Sequence, residues 1–267
     1  MNIQHLTKEL DNLRNEVSKV IIGRKKSINA LLRTLICNSA VLLDGPPGSG
    51  KSLMVKTLAN SITCEFSDKQ VKPLTLLEHI NLSDKKILYL TKEKKFILFA
   101  TLYPIIGSEL KNHELDLFMF MIKVQDLTFK DELAILNKTS VRRIIKKTIS
   151  RRKLKEIQEA SEKIFADEKI KEYIVRIIDA TRNPEKYKLT TSKFINQGSS
   201  TRGSIFLYKA AKAEALLQGR NFVIPSDVKA VSPDILRHRI ILNYQGILEE
   251  VNTDLIIEEI MKKTPIP

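Results

Sequence analysis

Residues 40–61 read AVLLDGPPGSGKSLMVKTLANS, and the reading of the whole chain starts from them. Ala40, Val41, Leu42 and Leu43 form a short unbroken apolar run that Asp44-Gly45 ends. Such a run bounded by glycine is the pattern of a strand buried on both faces of a parallel sheet. Residues 52–61 read as a helix burying Leu53, Val55 and Leu58. Between strand and helix stands Gly45-Pro46-Pro47-Gly48-Ser49-Gly50-Lys51-Ser52, a complete G-x-x-x-x-G-K-[ST]. Its glycines let backbone N–H groups turn inward and cradle phosphate oxygens. The helix that follows offers its positive end and its unpaired N–H donors. Lys51 is placed to reach the β- and γ-phosphates, and the Ser52 hydroxyl to ligate Mg²⁺. An ordinary Gly-Pro turn would not need the apolar strand before the loop and the apolar-faced helix after it.

Upstream, Ile3, Leu6, Leu10, Leu13, Val17 and Val20 alternate three and four apart, the face of an amphipathic packing helix. Residues 25–37 read as a second helix on Ile28, Leu31, Leu32 and Leu35. Downstream, residues 73–80 read as a short helix. Residues 87–90, 96–101 and 118–124 read as strands. From about Thr128 helical periodicity takes over, broken at Asn183-Pro184, Gly198, Gly219 and Pro225. The division is an α/β core over residues 1–126 and an all-helical domain over residues 127–267.

The 267 residues are 43% apolar and 28% charged, a globular composition. No apolar run is long enough to span a bilayer, and the start shows no apolar leader. The net charge is +14. Of the 45 cations 32 are Lys, whereas Arg is the side chain suited to bidentate phosphate and base contacts. The densest basic run, residues 142–155, is interleaved with Ile144, Ile145, Ile149 and Leu154 and holds no aromatic residue for stacking. It reads as a solvated helix face, and nucleic-acid binding ranks last among the functions considered. Cys37 and Cys64 read as small buried hydrophobes in a reducing cytoplasm. The histidines His5, His79, His113 and His238 make no metal-ligand spacing, and no metal is expected beyond Mg²⁺ carried by a nucleotide.

With the loop in place, several further segments resemble the MoxR group of AAA+ ATPases. They are Val20-Ile21-Ile22-Gly23, residues 96–104 (FILFATLYP), Ala180-Thr181-Arg182, residues 198–203 (GSSTRG), residues 224–228 (IPSDV) and residues 235–240 (ILRHRI). They follow one another in order over nearly the whole chain. The resemblance implies a P-loop AAA+ core with a helical lid, ATP or ADP with Mg²⁺ as ligand, and assembly into a homo-oligomeric ring. It also implies a chaperone-like remodelling role beside von Willebrand A-domain proteins. Carried over position by position, Ile21 and Ile22 touch the adenine and Gly23 permits its approach. Arg202, within GSSTRG, is the lid arginine called sensor 2, which reaches the γ-phosphate and couples the lid to nucleotide state.

Three departures bear on catalysis. Hydrolysis in this family needs an apolar strand ending in Asp-Glu, between the loop and the strand at residues 96–101. Residues 53–95 show none. Residues 59–66 join almost directly to residues 72–80, which resemble the helix that normally follows that strand, so the core is truncated near residues 64–72. Only three parallel strands remain, about residues 41–43, 96–100 and 118–122, and residues 96–100 become an open edge unless residues 64–90 fold over it. The Asn expected as sensor 1 is Tyr103. The arginine of the family's LDRF is Leu117 in Leu115-Asp116-Leu117-Phe118. Residues 164–168 (IFADE) mimic the missing Asp-Glu motif, but Ile170, Tyr173, Ile174 and Ile177 continue from it at helical spacing, so Asp167 and Glu168 read as a helix start. The expected function is therefore ATP binding with weak or absent hydrolysis. The alternative is a non-hydrolysing nucleotide-gated binding protein or a decayed remnant.

Overall fold

The computed structural model describes residues 2–63, 66–67, 74–77, 97–101, 112–137 and 144–267. In chain order the elements begin with α1 (Ile3–Val20), α2 (Lys25–Cys37), β1 (Val41–Asp44), α3 (Lys51–Asn60), β2 (Ile62–Thr63), β3 (Phe66–Ser67), β4 (Leu74–Leu77) and β5 (Ile97–Thr101). There follow α4 (Asn112–Leu115), β6 (Phe120–Lys123), α5 (Phe129–Leu136), β7 (Ile149–Ser150), α6 (Arg151–Glu162) and α7 (Glu168–Arg182). The last stretch holds β8 (Ile195–Gln197), α8 (Thr201–Leu217), α9 (Pro225–Leu236), β9 (Ile241–Leu242), α10 (Tyr244–Leu248) and α11 (Thr253–Lys263). Two compact units result: residues 1–109 with 120–160, and residues 110–119 with 161–267.

The first unit is built on a five-stranded sheet in the order β3-β4-β5-β1-β6. Every pairing in it is parallel. Val41, Leu42 and Leu43 of β1 are fully buried, as a strand flanked on both sides and covered on both faces requires. Leaving β1, the chain passes to β3, β4 and β5 on one side and only then to β6 on the other. The C-terminal end of β1 is thus a topological switch point, where open α/β sheets place their ligands. Helix α1 buries Leu6, Leu10, Leu13 and Val17, each worth about 1.5–3 kcal/mol against full exposure. Asn2 caps α1 by accepting the His5 N–H.

Several sequence expectations change here. Residues 74–77, expected to be helical, are β4, paired with β5 from Leu74↔Ile97 to Leu77↔Ala100. With β3 beyond it, β4 covers the edge of β5 that was expected to lie open, and the sheet has five strands rather than three. L-T-L-L is too short for periodicity to separate strand from helix, and the decisive partner lies about twenty residues away. In α3 the buried face is Met54, Val55, Leu58 and Ala59, and Leu53 is 53% exposed. The strand expected at residues 87–90 lies outside the described residues, as does Cys64; Cys37 is half-buried at the end of α2.

Asp126, where the sequence reading divides the chain, lies inside the first unit. Past it, β7 pairs with β2 in a small parallel sheet. Gln158 of α6 donates to the Leu35 carbonyl at 2.8 Å, which holds α6 to α2. The second unit is helical. α8 packs between α7 and α9, and α9 also contacts α11. Its core includes Tyr173, Ile174 and Ile177 of α7, Leu207 and Ala211 of α8, and Val231 and Ile235 of α9.

Candidate functional site

Strand β1 delivers the loop to the rim of the sheet. The Asp44 carbonyl accepts the Val124 N–H at 2.7 Å, closing the end of the β1–β6 ladder. Gly45 passes so near β6 that an added Cβ would stand 2.7 Å from the Val124 carbonyl oxygen. Gly48 and Gly50 have φ of 76° and 84°. Nothing lies within 4 Å of a Cβ built at either. Glycine is thus needed there for the left-handed backbone and not for room.

That backbone leaves donors free. Ser49 N–H donates to the Pro46 carbonyl at 3.2 Å, and Met54 N–H to that of Gly50 at 2.9 Å. Among the described residues no backbone carbonyl accepts the N–H groups of Gly48, Gly50, Lys51 or Ser52. No side chain caps α3, whose N-cap is Gly50. A helix start with uncapped donors next to a left-handed turn suits an oxyanion.

Lys51 opens α3 and is 8% exposed. Its ammonium donates to the carbonyls of Gly45 (2.5 Å) and Pro46 (2.9 Å). Burial holds its pKa below the usual lysine value, and the charge of Asp44 works the other way. To a partly desolvated cation folded over the loop, a polyphosphate would offer stronger acceptors than carbonyls. Ser52, next in α3, is half-buried and is the residue whose hydroxyl would hold a nucleotide-borne Mg²⁺. Pro46 and Pro47 are exposed. Ser49 Oγ is buried, with no hydrogen-bond partner among the described residues.

Ile21, the C-cap of α1, is 5% exposed, and Ile22 is half-buried. Gly23 has φ 74°. A Cβ there would fall 2.4 Å from Cγ of Asp131, so the close approach Gly23 permits in this structure is that of α5. Arg24 donates to the Gln125 carbonyl at 2.5 Å, tying the same turn to the segment after β6.

In the second unit the separated motifs lock together. Ser199 N–H donates to Thr181 Oγ1 at 2.9 Å, and Arg182 Nε to the Ser199 carbonyl at 2.6 Å. Arg202 is presented in the first turn of α8. It pairs with Asp116 at 2.8 Å. Asp116 also accepts Nε of Arg239 at 3.0 Å. Arg239 is buried and lies 5.0 Å above the Phe206 ring. Burial lowers its pKa to about 10, against the opposing charge of Asp116, so it stays protonated at neutral pH. His238 is buried beside it, 3.0 Å from the Phe118 carbonyl. Burial and then the Arg239 charge push its pKa well below the usual histidine value, so it is neutral. Sequence reading quoted ILRHRI only as a resemblance and did not foresee the role of Arg239.

Leu117 is half-buried in the turn after α4, beside Asp116. Tyr103 lies outside the described residues. Asp167 is the N-cap of α7, accepting the Lys169 N–H at 2.9 Å, and Glu168 pairs with Lys171. The IFADE segment is thus a helix start, joined to Phe222 by a single parallel bridge at Phe165. Among the described residues no group of His, Cys, Asp and Glu is arranged to hold a metal ion. No described helix is long and apolar enough to cross a membrane.

Residues 188–260 match the AAA lid domain family. Over 94% of its length the chain is 27% identical to Chaperone MoxR1 of Mycobacterium tuberculosis, covering 81% of that protein. Over the same share it is 28% identical to YeaC of Bacillus subtilis, an uncharacterized protein of which it covers 92%. Both alignments run over 304 positions, more than the 267 residues of this chain, so both relatives hold positions with no counterpart here. A 79-residue stretch is 37% identical to Protein MoxR of Paracoccus denitrificans. The fold superposes on the crystal structure of a candidate ATPase from Cytophaga hutchinsonii with a TM-score of 0.89, at 28% identity, covering 100% of this chain and 97% of that one.

Proposed function

We propose that this chain, a relative of the MoxR-type AAA+ ATPases, binds ATP or ADP with Mg²⁺ in the loop of residues 45–52 and uses the bound nucleotide to set the state of its helical lid. The supporting observation is the set of uncapped N–H donors of Gly48, Gly50, Lys51 and Ser52 together with the partly desolvated ammonium of Lys51. Mg²⁺, when bound, neutralises phosphate charge, and the residue offered for it is Ser52. Arg202 is the lid cation that answers the γ-phosphate. Ile21, Ile22 and Gly23 flank the adenine. By the same resemblance the chain works as a ring of identical copies with a chaperone-like remodelling role, its partners being von Willebrand A-domain proteins in the cytoplasm.

Hydrolysis is proposed to be weak or absent. Leu117 removes the cation that a neighbouring copy would otherwise receive, a contribution on the order of 10³–10⁵ in rate in such enzymes. Strand β4 (LTLL) contains no carboxylate. One observation favours residual turnover: β4 sits next to β5 in the sheet, and the residue after Leu77 in the sequence is Glu78.

One titration series decides between these. Lys51→Ala should abolish MgATP binding by calorimetry, and binding at undiminished affinity would remove the loop assignment. Phosphate release by the wild type should stay below about 0.1 s⁻¹, under the usual range for enzymes. Faster release that depends on Lys51 and is lost in Glu78→Gln would instead make Glu78 the hydrolytic acid.

A further inference from the structure

Two arginines share one carboxylate in the second unit. Arg239 Nε donates to Oδ1 of Asp116 at 3.0 Å, and Arg202 Nη1 to Oδ2 at 2.8 Å. The two cations are not equivalent. Arg239 is buried, and its guanidinium is further fixed by the carbonyls of Asp116 (3.2 Å), Phe118 (2.6 Å), Met119 (3.3 Å) and Ile235. The side chain of Arg202 is 46% exposed, and Asp116 is its sole partner among the described residues. A single carboxylate cannot neutralise both. Asp116 is committed to Arg239, which has nowhere else to go, and Arg202 is held by the remaining carboxylate oxygen and, at 3.4 Å, by the Asp116 backbone carbonyl. Withdrawing Arg202 leaves Asp116 still paired, so no buried charge is stranded and the step is easily reversed.

We propose that Asp116 is a positioning residue that holds Arg202 docked within the second unit, so that a nucleoside triphosphate must win the guanidinium from it. This rests on the reading of Arg202 as the nucleotide-sensing cation. Docked Arg202 is not free to meet a phosphate, so affinity for the triphosphate falls by the fraction of time it spends docked. The diphosphate lacks the group that competes, and its affinity is indifferent to the latch. Leu117, the neighbour of Asp116, supplies no third cation.

The test measures affinities of the full chain for MgATPγS and MgADP in the wild type, Asp116→Asn, Arg202→Ala and the double variant. Asp116→Asn should bind MgATPγS about two- to fivefold more tightly, the size of one exposed charge pair, with MgADP unchanged. Arg202→Ala should weaken MgATPγS alone and make Asp116→Asn silent. If Arg202→Ala weakens MgATPγS while Asp116→Asn changes neither ligand, or tightens both equally, the latch is wrong and the sensing role stands. If Arg202→Ala changes neither ligand, the sensing role fails and the latch with it. Should Asp116→Asn not fold, arginine side-chain ¹⁵N spectra of the wild type serve instead. The Arg202 guanidinium signals should move on adding MgATPγS and stay put with MgADP, and no movement with either overturns the proposal.

Discussion

Gly198 shows how one residue holds the presentation of Arg202. A Cβ at this position would stand 2.2 Å from the Thr181 carbonyl oxygen and 2.6 Å from the Arg182 nitrogen. Both are backbone atoms of the end of α7, so neither can swing aside. The two motifs meet there, through Thr181 Oγ1 and the Ser199 carbonyl. Gly198→Ala must push α7 and the start of α8 apart. The expected cost is about 3 kcal/mol, the upper end for overpacking, seen as a lower denaturant midpoint of the lid transition in the full chain. Gly48 and Gly50 make the opposite case, since open space surrounds them and only backbone conformation is at stake. Alanine at either should cost less stability than at Gly198. A Gly198→Ala midpoint equal to that of Gly50→Ala would show that the approach of α7 is not fixed.

At the scale of elements, the end of α7 is held by Asp179. Its carboxylate accepts from Asn183 Nδ2 at 2.7 Å, Lys186 Nζ at 2.8 Å and Tyr187 Oη at 2.9 Å, fastening the 3-10 turn of residues 184–187 to the helix. The hydrogen bond from Lys186, followed by those from Asn183 and Tyr187, lowers its pKa from 3.8 to about 2. A carboxylate depressed in the folded state contributes stability in full above its unfolded pKa and loses it as pH falls through the folded value. The contribution should be complete above about pH 4 and gone near pH 2. Thermal unfolding followed across this window should show wild type above Asp179→Asn at pH 5, with the gap closing towards pH 2. A gap that does not change with pH would mean that Asp179 acts by shape alone.

What could be read beforehand was local. β1, the loop and α3 are contiguous, and their strand, turn and helix signals stand side by side. α7 through α9 announced themselves by period. β4 did not, because four residues carry no period and its partner arrives only at Ile97. The shared carboxylate could not be read at all. Asp116 is 86 residues from Arg202 and 123 from Arg239, and nothing in sequence spacing brings them together. The strand, loop and helix of residues 41–60 were therefore legible, and the pairing of Asp116 with Arg202 and Arg239 was not.

For the whole molecule, two physical terms oppose each other in the proposed ring. Each copy carries a net charge of +14, so copies repel at long range. Each copy also exposes apolar side chains at helical spacing. Phe129, Leu133 and Leu136 on α5 are 81%, 48% and 69% exposed, and Tyr244, Ile247 and Leu248 on α10 are 77%, 62% and 64% exposed. Distinct apolar patches on one chain suit head-to-tail contacts, which close into rings when the rotation allows. Salt shortens the reach of the repulsion to about 10 Å at 0.1 M and leaves apolar burial intact. Assembly with MgATPγS should therefore grow as salt rises from about 50 to about 300 mM, as read by sedimentation velocity, and Leu133→Asp should reduce it without loss of nucleotide binding. Binding to nucleic acid carries the opposite sign, weakening steeply over the same range as counterions are no longer released with gain. If added salt instead dissolves the assembly, and generic DNA is bound tightly at the low end, the charge of the chain serves a polyanion and the apolar helices do not join copies.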